Sequence, residues 1–149
     1  MITIHDVTHE NYKEILKLKI SEEQKGFIET PYECLVEAAE CKLYKPVGLH
    51  VDETLAGFAM YGCFPEEGQQ ERVWIDRFLI DEKYQGIGLG TSFMKAMIKK
   101  VEHQYGNQPI YLSVYADNKA AIHLYKKLGF SFTDELDING ELVMARQLQ

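Results

Sequence analysis

Residues 72–94 read RVWIDRFLIDEKYQGIGLGTSFM, and this stretch decides the fold. Its first nine residues are mostly apolar, branched or aromatic, which predicts a buried strand. After a short turn come glycines at 86, 88 and 90, and the residues from Leu89 onward carry apolar side chains at helical spacing. The stretch therefore predicts a strand, a glycine-rich loop and an amphipathic helix in direct succession.

The glycine-rich loop has the features of a phosphate-binding site. Gly86, Gly88 and Gly90 lack a Cβ atom, so they can adopt positive φ and allow a ligand to approach the backbone closely. The first N–H groups of the following helix have no intrahelical partner and carry the positive end of the helix dipole. Since such groups bind phosphates, we expect a ligand that carries phosphate.

Two nucleotide-binding motifs fit this loop poorly. A P-loop requires lysine and then serine or threonine after its last glycine, whereas Gly90 is followed by Thr91 and Ser92. A dinucleotide fold places G-x-G-x-x-G near the start of a βαβ unit, whereas these glycines are spaced G-x-G-x-G in the second half of the chain. A turn with chance glycines is a third interpretation, and the flanking strand and helix count against it.

The pattern that does match is Gln85-x-x-Gly88-x-Gly90 after a strand that ends in Leu79 and Ile80. This pattern resembles the pyrophosphate loop of the GNAT superfamily of N-acetyltransferases, which binds acetyl-CoA. The resemblance implies acetyl-CoA as the co-substrate. The scattered cysteines and histidines have no metal-ligand spacing, so we expect no metal.

A second match lies downstream. Residues 118–130, NKAAIHLYKKLGF, resemble the last helix of the same superfamily, N-x-x-A-x-x-x-Y followed by G-F. Asp117 or Asn118 can cap this helix, and Gly129 fits its left-handed C-terminal position. Tyr125 alone could be a packing aromatic of an amphipathic helix. Two motifs in the right order identify the chain as a member of the superfamily.

The rest of the chain predicts the order β-α-α-β-β-β-α-β-α-β-β. The predicted strands start at Ile2 and cover residues 47–51, 55–63, 72–80, 110–114, 130–132 and 142–145; the predicted helices cover 11–20 and start at Thr30, Leu89 and Asn118; residues 64–71 are predicted to be a polar loop. This order resembles the GNAT acyl-CoA N-acyltransferase fold. It implies one domain over residues 1–149 of the α/β (α+β) class, with a mixed central sheet flanked by helices.

Composition and charge limit the classes of partner that the protein is expected to bind. The chain has 149 residues and a net charge of −7 with no basic cluster, which counts against nucleic acid or an anionic membrane as a partner. No apolar run approaches the length of a membrane span, and the N-terminus does not resemble a signal peptide, so a cytoplasmic location is expected. An acidic surface favours a cationic substrate. Members of the superfamily are often dimers, so the resemblance makes a homodimer one candidate and leaves the oligomeric state open.

The resemblance also assigns the residues that hold acetyl-CoA. The backbone of residues 78–80 is expected to pair with the pantetheine arm as an added strand, and an amide near Leu79 to stabilise the oxyanion. Asn118 is expected near the pantetheine or adenosyl part, and Gln85 near the pyrophosphate. The expected cofactor-binding residues are Phe78, Leu79, Ile80, Gln85, Gly86, Ile87, Gly88, Leu89, Gly90, Thr91, Asn118 and Tyr125.

Two side chains are expected to carry the proton transfers. A primary amine is protonated at pH 7, and making it neutral costs on the order of 4–5 kcal/mol, so a base is needed. Asp76 is the candidate base, acting directly or through a water, although a salt bridge to Arg77 or Arg72 is an equal alternative. Tyr125 is expected, by resemblance, to protonate the leaving thiolate.

A finer resemblance concerns the acceptor. Residues 24–29, 34–39, 47–61 and 74–80 look like the corresponding segments of bacterial spermidine/spermine N-acetyltransferases, which implies a polyamine substrate. Arg77 stands where those enzymes can carry a second acid. The carboxylates expected to bind the amine groups are Asp76, Glu22, Glu23, Glu29 and Glu33, although surface glutamates are usually only solvated. Protein amines, an aminoglycoside, or acyl-CoA binding without catalysis are the alternatives.

Overall fold

The computed structural model describes residues 1–19, 30–66 and 69–147. Within these ranges the chain forms seven strands and four helices in the predicted order. They are β1 (Ile2–Asp6), α1 (Tyr12–Leu16), α2 (Pro31–Glu40), β2 (Lys45–Val51), β3 (Thr54–Glu66), β4 (Gln69–Ile80), α3 (Leu89–Tyr105), β5 (Ile110–Val114), α4 (Lys119–Lys127), β6 (Phe130–Leu136) and β7 (Leu142–Arg146), with a 3₁₀ turn at Glu82–Tyr84. The predicted fold class is confirmed.

The strands form one mixed sheet in the order β1-β2-β3-β4-β5-β7-β6. Neighbouring strands are antiparallel except β4 and β5, which run parallel and pair at two positions, Val73 with Ile110 and Trp74 with Tyr111. In the described sheet the two strands continue beyond these pairs without meeting again. We call this opening between residues 75–80 and 112–114 the fork. It leaves one edge of β4 open to a ligand.

Helices cover both faces of the sheet. The larger core lies under α3 and α4 and includes Val73, Ile75, Phe93 and Tyr125. The smaller core lies under α1 and α2; its buried members are Ile15, Leu18, Cys34, Phe58, Met60 and Leu79. Both faces of the central strands are therefore buried, which explains why residues 55–64 of β3 form a continuous apolar run rather than alternating with polar residues.

A β-bulge interrupts β4 at Asp76. Met60 of β3 pairs with Arg77 and the next residue, Tyr61, pairs with Ile75, so Asp76 has no counterpart on β3. An extra residue of this kind redirects side chains, and bulges are frequent beside active sites. The bulge was not predicted from the sequence.

Two predicted boundaries were wrong. Residues 64–71 were predicted to be a loop, but β3 extends to Glu66 and β4 begins at Gln69, with Phe64 paired to Arg72 and Glu66 paired to Gln69. Pro65 is compatible with the strand because it lies at a register shift. The first helix was predicted to cover residues 11–20 but ends at Leu16. Beyond Leu16 the chain leaves the helix, and the N–H of Lys19 donates to the Asp81 carboxylate (3.0 Å) at the end of β4.

Caps and turns define the ends of several elements. Thr30 and Glu33 form a capping box at the start of α2. Asp52 has positive φ in the two-residue turn between β2 and β3, and Gly129 has φ 98° just after α4. β6 extends to Leu136, beyond the predicted end at Phe132. No helix in the described residues is long and apolar enough to cross a membrane.

Candidate active site

A cavity of about 320 Å³ opens at the fork. Its walls come from the diverging ends of β4 and β5, the glycine-rich loop, α3 and α4. The residues predicted for the site that line it are Asp76, Phe78, Leu79, Ile80, Gln85, Gly86, Gly90, Asn118 and Tyr125. The two separate sequence motifs therefore meet in one cavity.

The glycine-rich loop has the backbone that the sequence predicted. Gly86 and Gly88 have φ of 78° and 83°, values that residues with a Cβ rarely adopt. Gly88 is the N-cap of α3 and offers no side-chain hydrogen bond, so a ligand can take the place of a capping group. The Gln85 side chain connects the loop to the end of β4, because its Nε2 donates to the Ile80 carbonyl at 2.9 Å.

Not every loop residue faces the cavity. Ile87, Gly88, Leu89 and Thr91 continue the turn into α3 and are not among the cavity-lining residues. Gly90 does line the cavity but has ordinary φ, and a Cβ there would lie 3.6 Å from Leu124 of α4. An open edge of β4 beside an uncapped helix N-terminus fits a ligand with an amide-bearing arm and a pyrophosphate, as acetyl-CoA has.

Asp76 is held by two partners at the mouth of the fork. Its carboxylate accepts a hydrogen bond from the Tyr44 hydroxyl and lies 3.5 Å from the Arg77 guanidinium. Burial raises the pKa of Asp76, and Arg77 and Tyr44 oppose this rise. The predicted alternative of a salt bridge is thus present with Arg77, while Arg72 pairs with Glu135 (2.9 Å). Asp76 also lines the cavity, so the salt bridge does not remove its carboxylate from the reach of a ligand.

Arg77 in turn anchors α2. Its guanidinium donates twice to the Glu37 carboxylate, at 3.2 and 3.1 Å, in a two-point contact. Such charge-assisted pairs fix orientation as well as contributing energy. Because Arg77 is shared between Glu37 and Asp76, it neutralises only part of the negative charge at this edge of the sheet.

Tyr125 forms the opposite wall. Only 9% of the residue is exposed, and its ring packs edge-on against Phe130 with the ring centres 6.0 Å apart. Burial raises the pKa of Tyr125 to about 12, and the charge of Glu141 adds to this effect. The hydroxyl is therefore protonated at neutral pH. Burial disfavours a thiolate in the same cavity as it disfavours a phenolate, so it does not by itself oppose proton transfer from tyrosine to sulfur.

Asn118 begins α4 and also lines the cavity. Its Oδ1 accepts from the Ala121 N–H at 3.4 Å, so of the two predicted caps it is Asn118 that acts. This cap fixes the first turn of the helix that carries Tyr125.

The predicted polyamine carboxylates are placed differently. Glu33 lies outside the cavity lining, where its carboxylate accepts from the N–H and hydroxyl of Thr30 at 3.1 and 2.9 Å. These hydrogen bonds lower the pKa of Glu33. Its observed role is therefore helix capping. Glu22, Glu23 and Glu29 lie outside the described residues.

Three side chains at the site were not predicted from the sequence. Glu141 is buried and lines the cavity, and Tyr44 and Glu37 support Asp76 directly and through Arg77. Glu37 lies one helical turn after the buried Cys34, which was the available signal for an inward position. Within the described residues no group of histidine, cysteine and acidic side chains could hold a metal ion.

The profile of the acetyltransferase (GNAT) family matches residues 8–130 of the chain. The chain belongs to this family.

Known relatives and structures agree with this assignment. The chain is 49% identical over 150 residues to a spermine/spermidine N(1)-acetyltransferase of Bacillus subtilis, and the match covers 99% of both sequences. This protein is therefore an N-acetyltransferase. It shares the fold of an aminoglycoside acetyltransferase in complex with coenzyme A (TM-score 0.80, 16% identity, 99% and 95% coverage). It also shares the fold of a chimeric spermidine N-acetyltransferase from Vibrio cholerae (TM-score 0.72, 18% identity, 98% and 94% coverage).

Proposed function

We propose that this protein transfers the acetyl group of acetyl-CoA directly to a primary amine of spermidine or spermine. The observation that carries the choice of acceptor is the identity, along almost the whole chain, with the Bacillus subtilis enzyme that acts on these polyamines. The net charge of −7 supports a cationic substrate through electrostatic attraction.

Acetyl-CoA would supply a thioester carbonyl to the amine and a thiolate as the leaving group. The open edge of β4 at residues 78–80 would bind its arm, and the amides of residues 86–91 its pyrophosphate. An N–H near Leu79 would donate to the carbonyl oxygen as negative charge develops there.

Asp76 attracts the cationic amine and takes its first proton, directly or through a water. Burial raises the pKa of this carboxyl, which brings it nearer to neutral and makes it a better proton acceptor. The Tyr44 hydroxyl stays protonated and donates to Asp76, because burial and the Asp76 charge raise the pKa of Tyr44. Tyr125 then donates its hydroxyl proton to the departing sulfur.

A thiol-release assay with acetyl-CoA tests this proposal. Spermidine and spermine should be acetylated with a higher kcat/KM than putrescine, an aminoglycoside, or a peptide with a free N-terminus. A monoamine of similar length that reacts as well as spermidine would refute recognition of the distal charges. Release of thiol from none of these amines would refute the enzymatic proposal as a whole.

The KM for spermidine should rise with ionic strength. Steering and partly exposed ion pairs are screened over a Debye length of roughly 8–10 Å near physiological salt. The KM for acetyl-CoA should follow a different salt dependence, because backbone amides bind its phosphates. Initial rates between low and moderate salt, with a neutral osmolyte as control, measure both. A spermidine KM that is independent of salt would contradict the charge-based acceptor site.

Asp76→Asn should lower kcat/KM for spermidine roughly 100-fold or more, because general base catalysis contributes effects of this order. The affinity for acetyl-CoA, measured by calorimetry, should stay near that of the wild type. Glu71→Gln is the matched control, since Glu71 is an exposed acid on the same strand outside the cavity. Equal losses in the two variants would mean that Asp76 acts only through net charge.

A further inference from the structure

Glu141 is the second buried carboxylate in the cavity, and the mechanism above does not use it. It lies directly before β7, is 8% exposed, and lines the same cavity as Asp76 and Tyr125. Burying a carboxylate costs free energy unless charges or hydrogen bonds stabilise it. A carboxylate placed in this way beside reacting groups is a candidate for chemistry.

The turn between β6 and β7 is built to hold the backbone of Glu141 in place. The Asp137 carboxylate accepts from the N–H groups of Asn139 (2.8 Å) and Glu141 (2.9 Å), and the Asp137 N–H donates to the Glu141 carbonyl (2.9 Å). Gly140 supplies a positive φ of 82° between them. The next residue, Leu142, pairs with Val114 of β5. Glu141 therefore belongs to the β5–β7 arm of the fork, whereas Asp76 belongs to the β4 arm.

Electrostatics also connects Glu141 to Tyr125. The negative charge of Glu141 contributes to the raised pKa of the Tyr125 hydroxyl, and both side chains line the same cavity. A proton that arrives on Glu141 removes this charge and makes Tyr125 a stronger acid.

The proton count of the reaction leaves a role for such a group. An ammonium group that becomes a secondary amide loses two N–H protons. Asp76 is assigned the first, which must leave before the nitrogen can attack. The second leaves after the nitrogen has bonded to the carbonyl carbon. Tyr125, having given its proton to sulfur, must recover one before the next turnover.

We propose that Glu141 is a second catalytic carboxylate, which contacts the attacking nitrogen, takes its second proton and passes it to the Tyr125 oxygen. As the C–S bond breaks, its electron pair goes to sulfur, and sulfur takes the Tyr125 proton. The nitrogen gives a proton to Glu141 as the amide forms, and Glu141 returns that proton to the tyrosine oxygen. The net result is one proton on the thiol and one released through Asp76. This inference rests on acetyl transfer to an amine in this cavity, but not on which amine is used.

Two kinds of acceptor distinguish the two carboxylates. Spermidine is protonated at pH 7 and must lose both protons, whereas hydroxylamine is already neutral and must lose only the second. With hydroxylamine as the acceptor, Asp76→Asn should therefore have much of the activity of the wild-type protein. Glu141→Gln should lose roughly 100-fold in kcat with both acceptors, a loss typical of a missing acid or base group.

The controls separate chemistry from structure. Glu141→Gln preserves the size and shape of the side chain, so its Tm and its affinity for CoA should match the wild type. Asp134→Asn is the matched control, because Asp134 is an exposed acid on the same hairpin and asparagine tolerates its positive φ of 70°. The double variant with Tyr125→Phe should lose no more than the worse single variant, since the two residues act on one proton path.

Three results would overturn the role of Glu141. They are a wild-type kcat for Glu141→Gln, a rise only in the KM for spermidine, and recovery with hydroxylamine equal to that of Asp76→Asn. If Glu141→Gln lowers the Tm, Glu141→Asp replaces it. The shorter side chain should reduce kcat with both acceptors, because displacement of a catalytic group by about 1 Å can cost as much as 100-fold. Wild-type protein that acetylates hydroxylamine but no polyamine would refute only the proposed substrate.

Discussion

Tyr125→Phe should lower kcat by roughly 100-fold or more while the Kd for acetyl-CoA stays within about twofold of the wild-type value. The hydroxyl is needed only when charge develops on sulfur, so its loss affects the transition state and not ground-state binding. The ring remains to pack against Phe130, so the fold should be preserved. Steady-state kinetics and calorimetry with acetyl-CoA check the two halves of this expectation.

Tyr105→Phe is the matched control for this prediction. Tyr105 lies at the end of α3, is partly buried, and packs edge-on against Tyr61 away from the cavity. Removing its hydroxyl should leave kcat unchanged. If Tyr125→Phe turned over as fast as Tyr105→Phe, Tyr125 would be a packing residue and the thiolate would obtain its proton elsewhere.

Gly88→Val should weaken acetyl-CoA binding by about 100-fold or more without unfolding the domain. Valine is strained at φ 83°, at a cost of about 1–2 kcal/mol, and its branched side chain would project where the pyrophosphate approaches the loop. In the free protein a Cβ at this position meets nothing within 4 Å, so the fold itself can accommodate it. Calorimetric titration with acetyl-CoA, together with a thermal melt, measures the two effects.

The other end of the same helix supplies the control. Gly106 has φ 87°, and a Cβ there also meets nothing within 4 Å. Because Gly106 also has ψ 179°, in a region that essentially only glycine adopts, Gly106→Val should lower the Tm at least as much as Gly88→Val, with unchanged affinity for acetyl-CoA. Equal affinity in the two variants would show that the loop at Gly88 is only a turn.

Local signals made the cofactor side of the site predictable. Glycines at positions of positive φ, a capping box, and a motif that begins and ends a helix are all written in neighbouring residues. Gly88, Asn118 and Gly129 therefore lie where the sequence placed them at the ends of α3 and α4. The predicted loop and helix met in one cavity because the order of elements fixed the topology.

The acceptor side depends on tertiary pairing and was only partly predictable. Asp76 could be named as an acid on a central strand, but nothing local marks the bulge that isolates it. Glu141 reads as a polar residue after an Asn-Gly turn, and only the packing of β7 beside β5 buries it. Glu33 caps α2, and its predicted role in binding the amine stays a prediction.

The same limit applies to residues 64–66 and 69–71, which are the ends of β3 and β4. Their polar residues and Pro65 indicate a loop when they are read alone. Backbone pairing between β3 and β4 extends past the core because each strand supplies the hydrogen-bond partners of the other. The loop propensity of this segment therefore predicted the wrong structure, because pairing with the neighbouring strand determines its conformation.

The bulge separates the side chain of Asp76 from the packing of β4. If Asp76 is skipped, the strand reads as an uninterrupted one, with Ile75, Phe78 and Ile80 on the face of the larger core and Leu79 on the other. Asp76 is in effect an insertion into a strand that is complete without it. Because it has no partner position on β3, this residue can be substituted without repacking either core. An extra residue elsewhere in β4 that was not accommodated by a bulge would exchange the two faces of the strand beyond it.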